Sequence, residues 1–369
     1  MFIDGELWAG KRVLITGHTG FKGAWLSLWL QRLGARVSGI SSGCLPPPSL
    51  YQLADLAAHM ASEQTLDIRD AGAVSRAVRI ARPQVVFHLA AQPLVRRALL
   101  EPLHTFEVNV IGTANLLEAV RQLEGELEAV VIVTSDKCYE QRQRDSPCAP
   151  FSETDRLGGS DPYSASKAAA ELLVAAYRDS YLEDRRPFIA TARTGNVIGG
   201  GDWAQDRLLA DAVKVATGAA PAPLMLRRPD AVRPWQHVLN PLSGYLLLAQ
   251  ELMRGRVQGG AWNFGPPIED AQPVGVVIER LRGLWGGRPS VQHDPGPHPP
   301  EADWLALDSS KARAALRWDP PWDLDAALSE LVAWHEAHQG GQEMRAVSLT
   351  QIGSYTRQLH QRAGGVGVA

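Results

Sequence analysis

The sequence predicts an α/β protein with a doubly wound parallel sheet and a smaller lobe formed by its second half. Two observations lead to this prediction. In the first half of the 369 residues, short apolar stretches rich in β-branched residues alternate with amphipathic helical stretches. A glycine-rich turn, 17–23, follows the first apolar stretch. Such alternation indicates parallel strands joined by right-handed helical crossovers, with helices on both faces of the sheet.

The first elements are predicted from local composition. The stretch "KRVLITG" (11–17) is apolar, β-branched and bounded by glycine, which indicates a buried strand. The stretch 21–35 has helical apolar spacing, and Gly34 suits a helix C-cap. A second strand is expected at 36–41. Three consecutive prolines in 41–50 exclude regular structure there.

The remaining elements of the first half continue the alternation. Strands are predicted at 65–70, 84–91, 128–135 and 187–194. Helices are predicted between them at 73–83, 105–123 and 162–183. The last helix has Asp161 at its N-cap and Pro162 at its first helical position, a frequent combination at helix starts.

The second half of the chain is different in composition. From residue 195 onward it is rich in Pro, Trp and Gly, with shorter helices expected at 206–218 and 327–338. We expect this half to form a lobe that closes over the carboxyl ends of the strands, where open α/β sheets bind their ligands. The two lobes are expected to interleave rather than to follow one another.

Composition and charge exclude several functional classes. The net charge of −3 predicts no binding to nucleic acid or to anionic lipid. No apolar run approaches the ~20 residues of a membrane-spanning helix, and residues 1–12 do not resemble a secretory signal. Cys44, Cys138 and Cys148 fit neither a disulfide framework nor a zinc-ligand spacing. We therefore expect reduced thiols, a cytoplasmic location and no metal site.

The glycine turn predicts a dinucleotide site of the Rossmann type. Gly17, Gly20 and Gly23 follow a strand and open a helix, with G-x-x-G-x-x-G spacing. The first glycine permits a tight turn, the second lets the backbone approach a pyrophosphate, and the third lets the helix pack on the strand. The phosphates are then expected at the positive end of the helix.

One feature of such folds is missing from the sequence. Dinucleotide-binding folds usually carry an acidic residue at the end of the second strand, where it binds the adenosine ribose. Here that place reads "GISSGC" (39–44), with Ser41 and Ser42 as hydrogen-bonding residues. No arginine is there to bind a 2′-phosphate, although Lys22 is close. We favour NAD over NADP on this ground, with the choice less secure than usual.

A tyrosine and a lysine predict acid–base chemistry. Tyr163 and Lys167 are four residues apart and share one face of the predicted helix. We expect the ammonium group to lower the pKa of the phenol, so that Tyr163 accepts a proton from an alcohol during hydride transfer. Ser135, Asp136 and Lys137 follow a buried strand directly and add a hydroxyl, an acid and a base.

These residues resemble those of the extended short-chain dehydrogenase/reductase superfamily. Gly17, Gly20, Gly23, Ser135, Tyr163 and Lys167 match its motifs, and "FHLAAQ" (87–92) and "NVIGT" (109–113) are similar to its sugar-nucleotide branch. More narrowly, the sequence resembles the CDP-glucose 4,6-dehydratase family. The long stretches that carry this resemblance span most of the chain, at 16–26, 90–98, 133–140, 195–211, 233–249 and 262–266.

The resemblance implies a dehydration without net redox change. A hydride leaves carbon 4 of CDP-glucose for NAD, water is eliminated across carbons 5 and 6, and the hydride returns to carbon 6. It also implies that residues 1–195 form an NAD-binding Rossmann domain. Residues 196–369 would mainly form the sugar-nucleotide lobe, with a segment near 230–250 returning to the first domain.

The resemblance implies roles for five catalytic residues. Tyr163 would deprotonate the 4-hydroxyl, Lys167 would tune Tyr163 and hold the nicotinamide ribose, and Ser135 would bind the same hydroxyl. Asp136 would protonate the leaving 6-hydroxyl. Lys137 stands where related dTDP-glucose dehydratases have a glutamate. It would be either the base at carbon 5, which requires a neutral amine, or the cation that stabilises the enolate.

Cofactor and substrate residues follow from the same resemblance. The remaining cofactor residues would be Thr19, Phe21 and Lys22 in the glycine turn, Asp67 and Ile68 at the adenine, and Leu89, Ala90 and Ala91 beneath the pyrophosphate. Asn196, Arg207 and Arg233 would bind the substrate phosphates. His88 is expected to be structural.

Two other functions compete with this one. Another sugar-nucleotide 4,6-dehydratase or an epimerase of the superfamily would keep Tyr163 and Lys167, but an epimerase has no use for the pair after Ser135. A cofactor-binding protein without catalysis is the third hypothesis, although such proteins tend to lose the tyrosine. The helices at 105–123 and 162–183 lead us to expect a homodimer or a higher homo-oligomer.

Overall fold

The computed structural model describes residues 2–123, 125–141, 149–182, 187–296 and 303–365. Within these residues the strands are β1 (Arg12–Thr16), β2 (Arg36–Ser41), β3 (Ser62–Thr65), β4 (Val85–His88), β5 (Ala129–Val133), β6 (Phe188–Arg193), β7 (Val197–Ile198), β8 (Leu224–Leu226), β9 (Val232–Pro234), β10 (Gln236–His237), β11 (Gly260–Asn263), β12 (Ala271–Pro273) and β13 (Val291–His293).

The α-helices of the same ranges are α1 (Gly5–Trp8), α2 (Phe21–Arg32), α3 (Leu50–Leu53), α4 (Ala71–Ala81), α5 (Val95–Leu100), α6 (Pro102–Phe106), α7 (Gly112–Arg121), α8 (Pro162–Tyr181), α9 (Leu208–Ala216), α10 (Leu239–Met253), α11 (Val274–Leu284), α12 (Ser310–Leu316), α13 (Leu324–Gln339) and α14 (Met344–Gly365). Short 3-10 turns occupy Ala57–His59, Asp136–Cys138 and Ile268–Asp270, and a π-helical turn occupies Glu107–Ile111.

The central sheet has seven strands in the order β11-β6-β5-β4-β1-β2-β3. Every neighbouring pair is parallel, so the carboxyl ends of all seven strands lie at one edge. The strand order reverses between β1 and β4, which is the point where folds of this kind bind their ligands. The predicted fold class, a doubly wound parallel sheet, is confirmed.

Apolar side chains from each strand pack on both faces of the sheet. Val13 and Ile15 of β1 contribute to one cluster, together with α2 and α10, while Leu14 contributes to the opposite cluster with α4 and α7. This alternation follows from the two-residue period of a strand. Because both faces are covered by helices, the strands are buried and apolar throughout their centre, as the sequence predicts.

The second half of the chain contributes to two places. Residues of α9, α11 and α13 form a separate apolar cluster beside the sheet. In contrast, every residue of α10 is buried, and its leucines join the cluster that contains β1 and α2. Strand β11 extends the sheet beside β6. The division of the chain into two domains at residue 195 stays a prediction.

Several element boundaries differ from those predicted. Strand β3 is Ser62–Thr65, not 65–70, because this edge strand is polar and partly exposed and so has no apolar signature. The predicted helix at 105–123 is interrupted by the π-helical turn Glu107–Ile111 and ends at Arg121. Helix α8 ends at Tyr181; residue 183 and Cys148 lie outside the described residues. No helix in the described ranges is long and apolar enough to cross a membrane.

Helix α10 provides a test of how firmly the second half is bound to the sheet. Leu246 is 0% exposed, whereas Ile80 on α4 is 68% exposed. We expect Leu246→Ala to lower the free energy of unfolding by about 2–5 kcal/mol, because the truncation leaves a cavity in a packed core. Ile80→Ala should change it by less than ~0.5 kcal/mol. Urea unfolding of both variants measures the difference; equal effects would mean that α10 is not part of the cooperative core.

Candidate active site

A cleft of about 880 Å³ lies at the carboxyl ends of the central strands. It brings together all the residues that the sequence assigns to catalysis, cofactor and substrate: Gly17, Thr19, Gly20, Phe21, Lys22, Gly23, Asp67, Ile68, Leu89, Ala90, Ala91, Ser135, Asp136, Lys137, Tyr163, Lys167, Asn196, Arg207 and Arg233. These residues come from both halves of the chain. The roles assigned to them stay predictions.

The glycine turn is shaped by close backbone contacts. Gly17 has φ +76°, and a Cβ on it would lie 2.7 Å from the Ala90 nitrogen. A Cβ on Gly23 would lie 2.2 Å from the Gly17 oxygen. Side chains are therefore excluded at both positions, and the twelve-residue helix α2 begins directly behind the turn with its positive end at the cleft. This is a surface that a pyrophosphate fits.

The end of β2 lies at the other side of the glycine turn. Ser41, Ser42 and Gly43 line the cleft there, and Thr19 Oγ1 donates a hydrogen bond of 2.8 Å to the Gly43 carbonyl. The nearby carboxylate of Glu63 on β3 does not line the cleft; it bonds with His18 Nε2 and with Tyr51 OH. Among the described residues at the end of β2, Ser41 and Ser42 are therefore the polar side chains that line the cleft.

Asp67 stands farther along this side of the cleft. Its carboxylate accepts hydrogen bonds from Arg69, which lower its pKa, and Arg69 also pairs with Glu107 at 2.8 Å. Arg69 is therefore engaged by two carboxylates. A 2′-phosphate would have to compete with both carboxylates for it, which agrees with the choice of NAD over NADP.

Ser135 organises the turn that follows β5. Its Oγ accepts a hydrogen bond from the Lys137 backbone N–H at 3.2 Å and donates one to Asp136 Oδ1 at 3.0 Å. The backbone N–H of Asp136 donates to the Thr194 carbonyl at 3.1 Å. The turn is thus attached to the residues that follow β6, which fixes the direction of the Asp136 side chain.

Asp136 is a buried carboxyl group that is held close to the cleft. It is 3% exposed, and its Oδ2 has no hydrogen-bond partner among the described residues. Burial raises its pKa, while Lys137 and the hydrogen bond from Ser135 oppose the rise. A Cβ on Gly195 would lie 2.6 Å from Oδ2, so a side chain at this position would have to displace the Asp136 carboxyl group. The arrangement favours the protonated form of this carboxyl group relative to an exposed aspartate, as a general acid requires.

Tyr163 and Lys167 enter the cleft from the first turns of α8. Asp161 caps this helix by accepting hydrogen bonds from the Tyr163 and Ser164 N–H groups. Tyr163 is 8% and Lys167 is 6% exposed. The Lys167 ammonium donates to the Val133 carbonyl at 3.5 Å. The predicted sharing of one helix face is therefore found, with both side chains beside the Ser135 turn.

The expected lowering of the Tyr163 pKa is wrong. Burial raises the pKa of this phenol to about 12, against a hydrogen bond with Ser135 and the positive charge of Arg207. Burial also lowers the pKa of Lys167 to about 8, with Glu171 opposing. The reason is that desolvation disfavours the charged form of each group, an effect that residue spacing does not reveal.

Basic side chains line one part of the cleft. Burial first, and then Arg207 and Lys167, lower the pKa of Lys22 to about 7, whereas Asp136 raises it. Arg207 pairs with Asp202 at 2.9 Å. Arg207 and Arg233 give this part of the cleft a positive surface that suits a diphosphate.

Some residues of the cleft are not predictable from the sequence. Gly195 matters because of its contact with Asp136, which no motif indicates. Arg96 of α5 pairs with Asp206 at 2.8 Å, so an ion pair between two residues that line the cleft joins the two halves of the chain. Arg96 belongs to the stretch 90–98 used for the resemblance, but its partner is 110 residues away.

His88 is structural, as predicted. Its ring nitrogens hydrogen-bond to the hydroxyl groups of Thr16 and Thr113 at 2.6 and 3.1 Å. Burial lowers its pKa to about 3, and the charge of Lys167 acts in the same direction. A neutral His88 therefore ties β4 to β1 and α7 below the cleft.

Comparison with known proteins places these features in a family. The model of the family described as GDP-mannose 4,6 dehydratase matches residues 14–331. The chain belongs to this family. A member at 44% identity is the CDP-glucose 4,6-dehydratase of Salmonella typhimurium, with 96% of this chain and 98% of the relative covered. A dTDP-glucose 4,6-dehydratase of Mycolicibacterium smegmatis is 30% identical over 89% of this chain and 94% of its own.

Solved structures show the same fold as this member of the family. A UDP-glucose 4-epimerase of Stenotrophomonas maltophila, with bound NAD and formylated UDP-arabinopyranose, has a TM-score of 0.76 and 23% identity, covering 90% of this chain and 99% of that one. A dTDP-glucose 4,6-dehydratase of Bacillus anthracis in complex with NAD has a TM-score of 0.74 and 22% identity, covering 90% and 99%. At these identities the likeness concerns the fold.

The burial of Asp136 predicts a stability cost that depends on pH. Its folded-state pKa is raised, so ionisation costs more in the folded than in the unfolded chain. The protonated carboxyl group therefore stabilises the fold fully below about 3.9, its pKa in the unfolded chain, and this stabilisation is lost as the pH rises. We expect Asp136→Asn to unfold at a higher urea concentration than the unmodified chain at pH 8, with a smaller difference at pH 4.

The matched control for this comparison is Asp230→Asn. Asp230 is exposed and does not line the cleft. Ionisation of an exposed carboxyl group costs the folded chain little, so this substitution should give no stabilisation at pH 8. A destabilised Asp136→Asn variant at pH 8 would show that the carboxylate is favourably solvated or paired in the folded chain.

Proposed function

We propose that this protein dehydrates CDP-glucose to CDP-4-keto-6-deoxyglucose, using NAD that is regenerated in each cycle. The observation that carries this proposal is the buried carboxyl group of Asp136 beside Ser135, in the same cleft as Tyr163 and Lys167. An oxidation alone needs only Ser135, Tyr163 and Lys167, so Asp136 is the residue that indicates an elimination. The 44% identity to a CDP-glucose 4,6-dehydratase supports the same reaction and the same nucleotide.

The cleft fits NAD at the glycine turn. A Cβ at Gly17 or Gly23 would fill the cradle, and the positive end of α2 faces it. NAD supplies the acceptor of the hydride from carbon 4 and its donor to carbon 6. The glycine turn would hold the pyrophosphate, Asp67 and Ile68 the adenine, and Lys167 the nicotinamide ribose. The NAD complexes of similar fold support this arrangement.

We assign the proton of the 4-hydroxyl to Tyr163. Ser135 would orient the hydroxyl, since its Oγ lies at the end of β5 and Ser135 lowers the pKa of the neighbouring Tyr163 phenol. Burial opposes ionisation of Tyr163, so nearby positive charge has to favour the phenolate. Arg207 lowers the pKa of Tyr163, and we assign the same task to the Lys167 ammonium of the cleft.

We assign the elimination of water to Asp136 and Lys137. A carboxyl group with a raised pKa can donate its proton to the leaving 6-hydroxyl. Lys137 adjoins it on the same turn and acts at carbon 5, as the base or as the cation that stabilises the enolate. The proton that carbon 5 loses in this step is replaced by a proton when the hydride returns to carbon 6. A lysine that acts as a base must be neutral. The neighbouring Lys22, whose pKa is lowered to about 7, shows that burial in this cleft favours a neutral amine.

The substrate diphosphate is assigned to the positive side of the cleft. Arg207 and Arg233 would donate hydrogen bonds to its oxygens, and Asn196 would contribute an amide. Arg207 enters from the residue before α9, and Arg233 from β9, so both belong to the second half of the chain. Binding of substrate would therefore join this half to the cofactor side.

The proposed reaction is tested by offering CDP-, dTDP-, UDP- and GDP-glucose in parallel with NAD. We expect a 4-keto-6-deoxy product from CDP-glucose above all, and deuterium from carbon 4 should be recovered at carbon 6. Asp136→Asn should lower turnover at least ~100-fold, the usual range for loss of a general acid. Reduced cofactor should then be seen in its absorbance, because oxidation continues without elimination.

Controls separate the competing reactions. Lys137→Met in the same assay reports on carbon 5, through loss of solvent-hydrogen exchange at that carbon. Full turnover by Asp136→Asn would contradict the elimination mechanism. Interconversion of 4-epimers instead of dehydration would favour an epimerase, and no product despite bound NAD would favour a binding protein without catalysis.

We also propose a homodimer formed through α5, α6 and α8. These helices pack on one another and expose large apolar side chains: Leu100 is 83%, Leu103 is 72% and Leu172 is 62% exposed. Ile111, in the π-helical turn, is 52% exposed. Patches of such side chains on adjacent elements mark interaction surfaces. A second copy of the chain is the occupant that we propose, because both predicted dimer helices contribute to the patch.

Light scattering tests the dimer. We expect a mass of about twice the 40.1 kDa of the chain at micromolar concentration. Leu172→Arg should shift the protein to the monomer, since a charge would have to be buried in the interface. Ile80→Arg, an exposed apolar position on α4, is the control and should leave the dimer intact. A monomeric unmodified chain would contradict the proposal.

A cytoplasmic location is the remaining part of the proposal. It is supported by Cys44 and Cys138, which are free thiols, and by the nucleotide-sugar substrate class. Fractionation of cells that produce the protein provides the test, with recovery in the membrane or secreted fraction as the opposing result.

A further inference from the structure

A buried ion pair lies directly beneath the candidate catalytic residues. Glu171 of α8 and Arg193 of β6 are 4% and 3% exposed, and Arg193 Nη2 donates to Glu171 Oε2 at 2.7 Å. A pair of full charges in a protein interior is expensive to desolvate and rarely improves stability over apolar packing. Its presence here therefore calls for a reason other than stability.

The carboxylate of Glu171 connects the elements that carry the site. Its Oε1 accepts a hydrogen bond from Thr134 Oγ1, and its Oε2 accepts one from Thr191 Oγ1 at 2.7 Å. Thr134 directly precedes Ser135, and Arg193 directly precedes Thr194, whose carbonyl binds the Asp136 N–H. One side chain thus holds the ends of β5 and β6 against helix α8.

Glu171 also lies one helical turn after Lys167. Residues four apart on a helix are neighbours on one face, so the carboxylate is the negative charge nearest to the ammonium along α8. Burial lowers the pKa of Lys167 to about 8, and Glu171 is the strongest influence that raises it. Without this carboxylate the ammonium would lose its proton at a lower pH.

We propose that Glu171 is a positioning residue of the reaction, which keeps Lys167 charged and the Ser135–Asp136 turn in place. It touches neither substrate nor cofactor and acts through its neighbours. The proposal rests on the assignment of Lys167 to the cofactor. This role also explains the buried ion pair. Lys167 requires the negative charge of Glu171 beside it, and Arg193 makes the burial of that charge less unfavourable.

Other charged groups facing Lys167 act in both directions. Lys22 from α2 and His88 from β4 lie within its electrostatic reach, and the Cys138 thiol approaches from the turn after β5. A thiolate at Cys138 would favour the ammonium, but burial raises the pKa of that thiol well above its ordinary value. Glu171 is therefore the group whose removal should change Lys167 most.

The experiment compares Glu171→Gln with Thr191→Val over a range of pH. Both remove a hydrogen-bonding partner from the network, but only the first removes its negative charge. In the unmodified protein, turnover and NAD affinity should fall as pH rises through the pKa of Lys167. In Glu171→Gln this fall should move to lower pH by about one unit, the smaller end of what a nearby opposite charge produces. Thr191→Val should leave its position unchanged.

A double variant guards against misfolding. Glu171→Gln alone leaves Arg193 buried without a partner, so Glu171→Gln with Arg193→Met removes both charges together. It should shift the fall to lower pH as well, but by less than Glu171→Gln alone, because the positive charge of Arg193 is removed too. The proposal would be overturned if either Glu171→Gln or the double variant folds and shows the pH dependence of the unmodified protein. Failure of both neutral variants to fold would overturn it too, because the pair would then serve folding alone.

The NAD-affinity measurement separates this inference from the proposed reaction. It needs no sugar nucleotide, so it reports on Lys167 whichever substrate is used. A shifted affinity profile in a protein that leaves CDP-glucose unchanged would uphold the role of Glu171 and reject the reaction. The reverse result, dehydration with unshifted profiles, would reject only the role of Glu171. Glu171→Asp, which retains the charge, should keep the profile of the unmodified protein more nearly than Glu171→Gln.

Discussion

Desolvation is the constraint on which the chemistry of the cleft depends. Burial raises the pKa of Asp136 and of Tyr163, and it lowers the pKa of Lys22 and of Lys167. All four shifts favour the uncharged form, as expected for groups removed from water. Neighbouring charges then decide which group departs from neutrality. The same surroundings therefore suit a protonated acid and a neutral amine within one site.

The parallel sheet determines which groups share these surroundings. Since the carboxyl ends of β1, β4, β5 and β6 lie at one edge, the residues that follow each strand meet in the cleft. The backbone contact between Gly17 and Ala90 joins the first two, and the hydrogen bond from Asp136 to Thr194 joins the last two. Helix α8 crosses behind them and supplies Tyr163 and Lys167. Distances of this kind leave little freedom for the individual side chains.

Much of the fold and the members of the site could be predicted from the sequence, because both depend on local patterns. The glycine spacing and the apolar strands are continuous signals, and residues such as Asp136 follow a strand directly. The position of β3 was not predictable, since a polar edge strand lacks that signal. The direction of the Tyr163 pKa shift and the Glu171–Arg193 pair depend on burial and on contacts between distant residues. Such properties arise only when the chain is folded.

The ion pair between Arg96 and Asp206 has a consequence for the traffic of ligands. Both residues line the cleft, and their side chains are 46% and 35% exposed. Pairs this exposed contribute only about 0–1 kcal/mol, little more than thermal energy. Thermal motion is therefore enough to break this connection. A bound molecule would be retained mainly by its own contacts with the residues that line the cleft. Its residence time would then depend on the strength of those contacts and not on the opening of this ion pair.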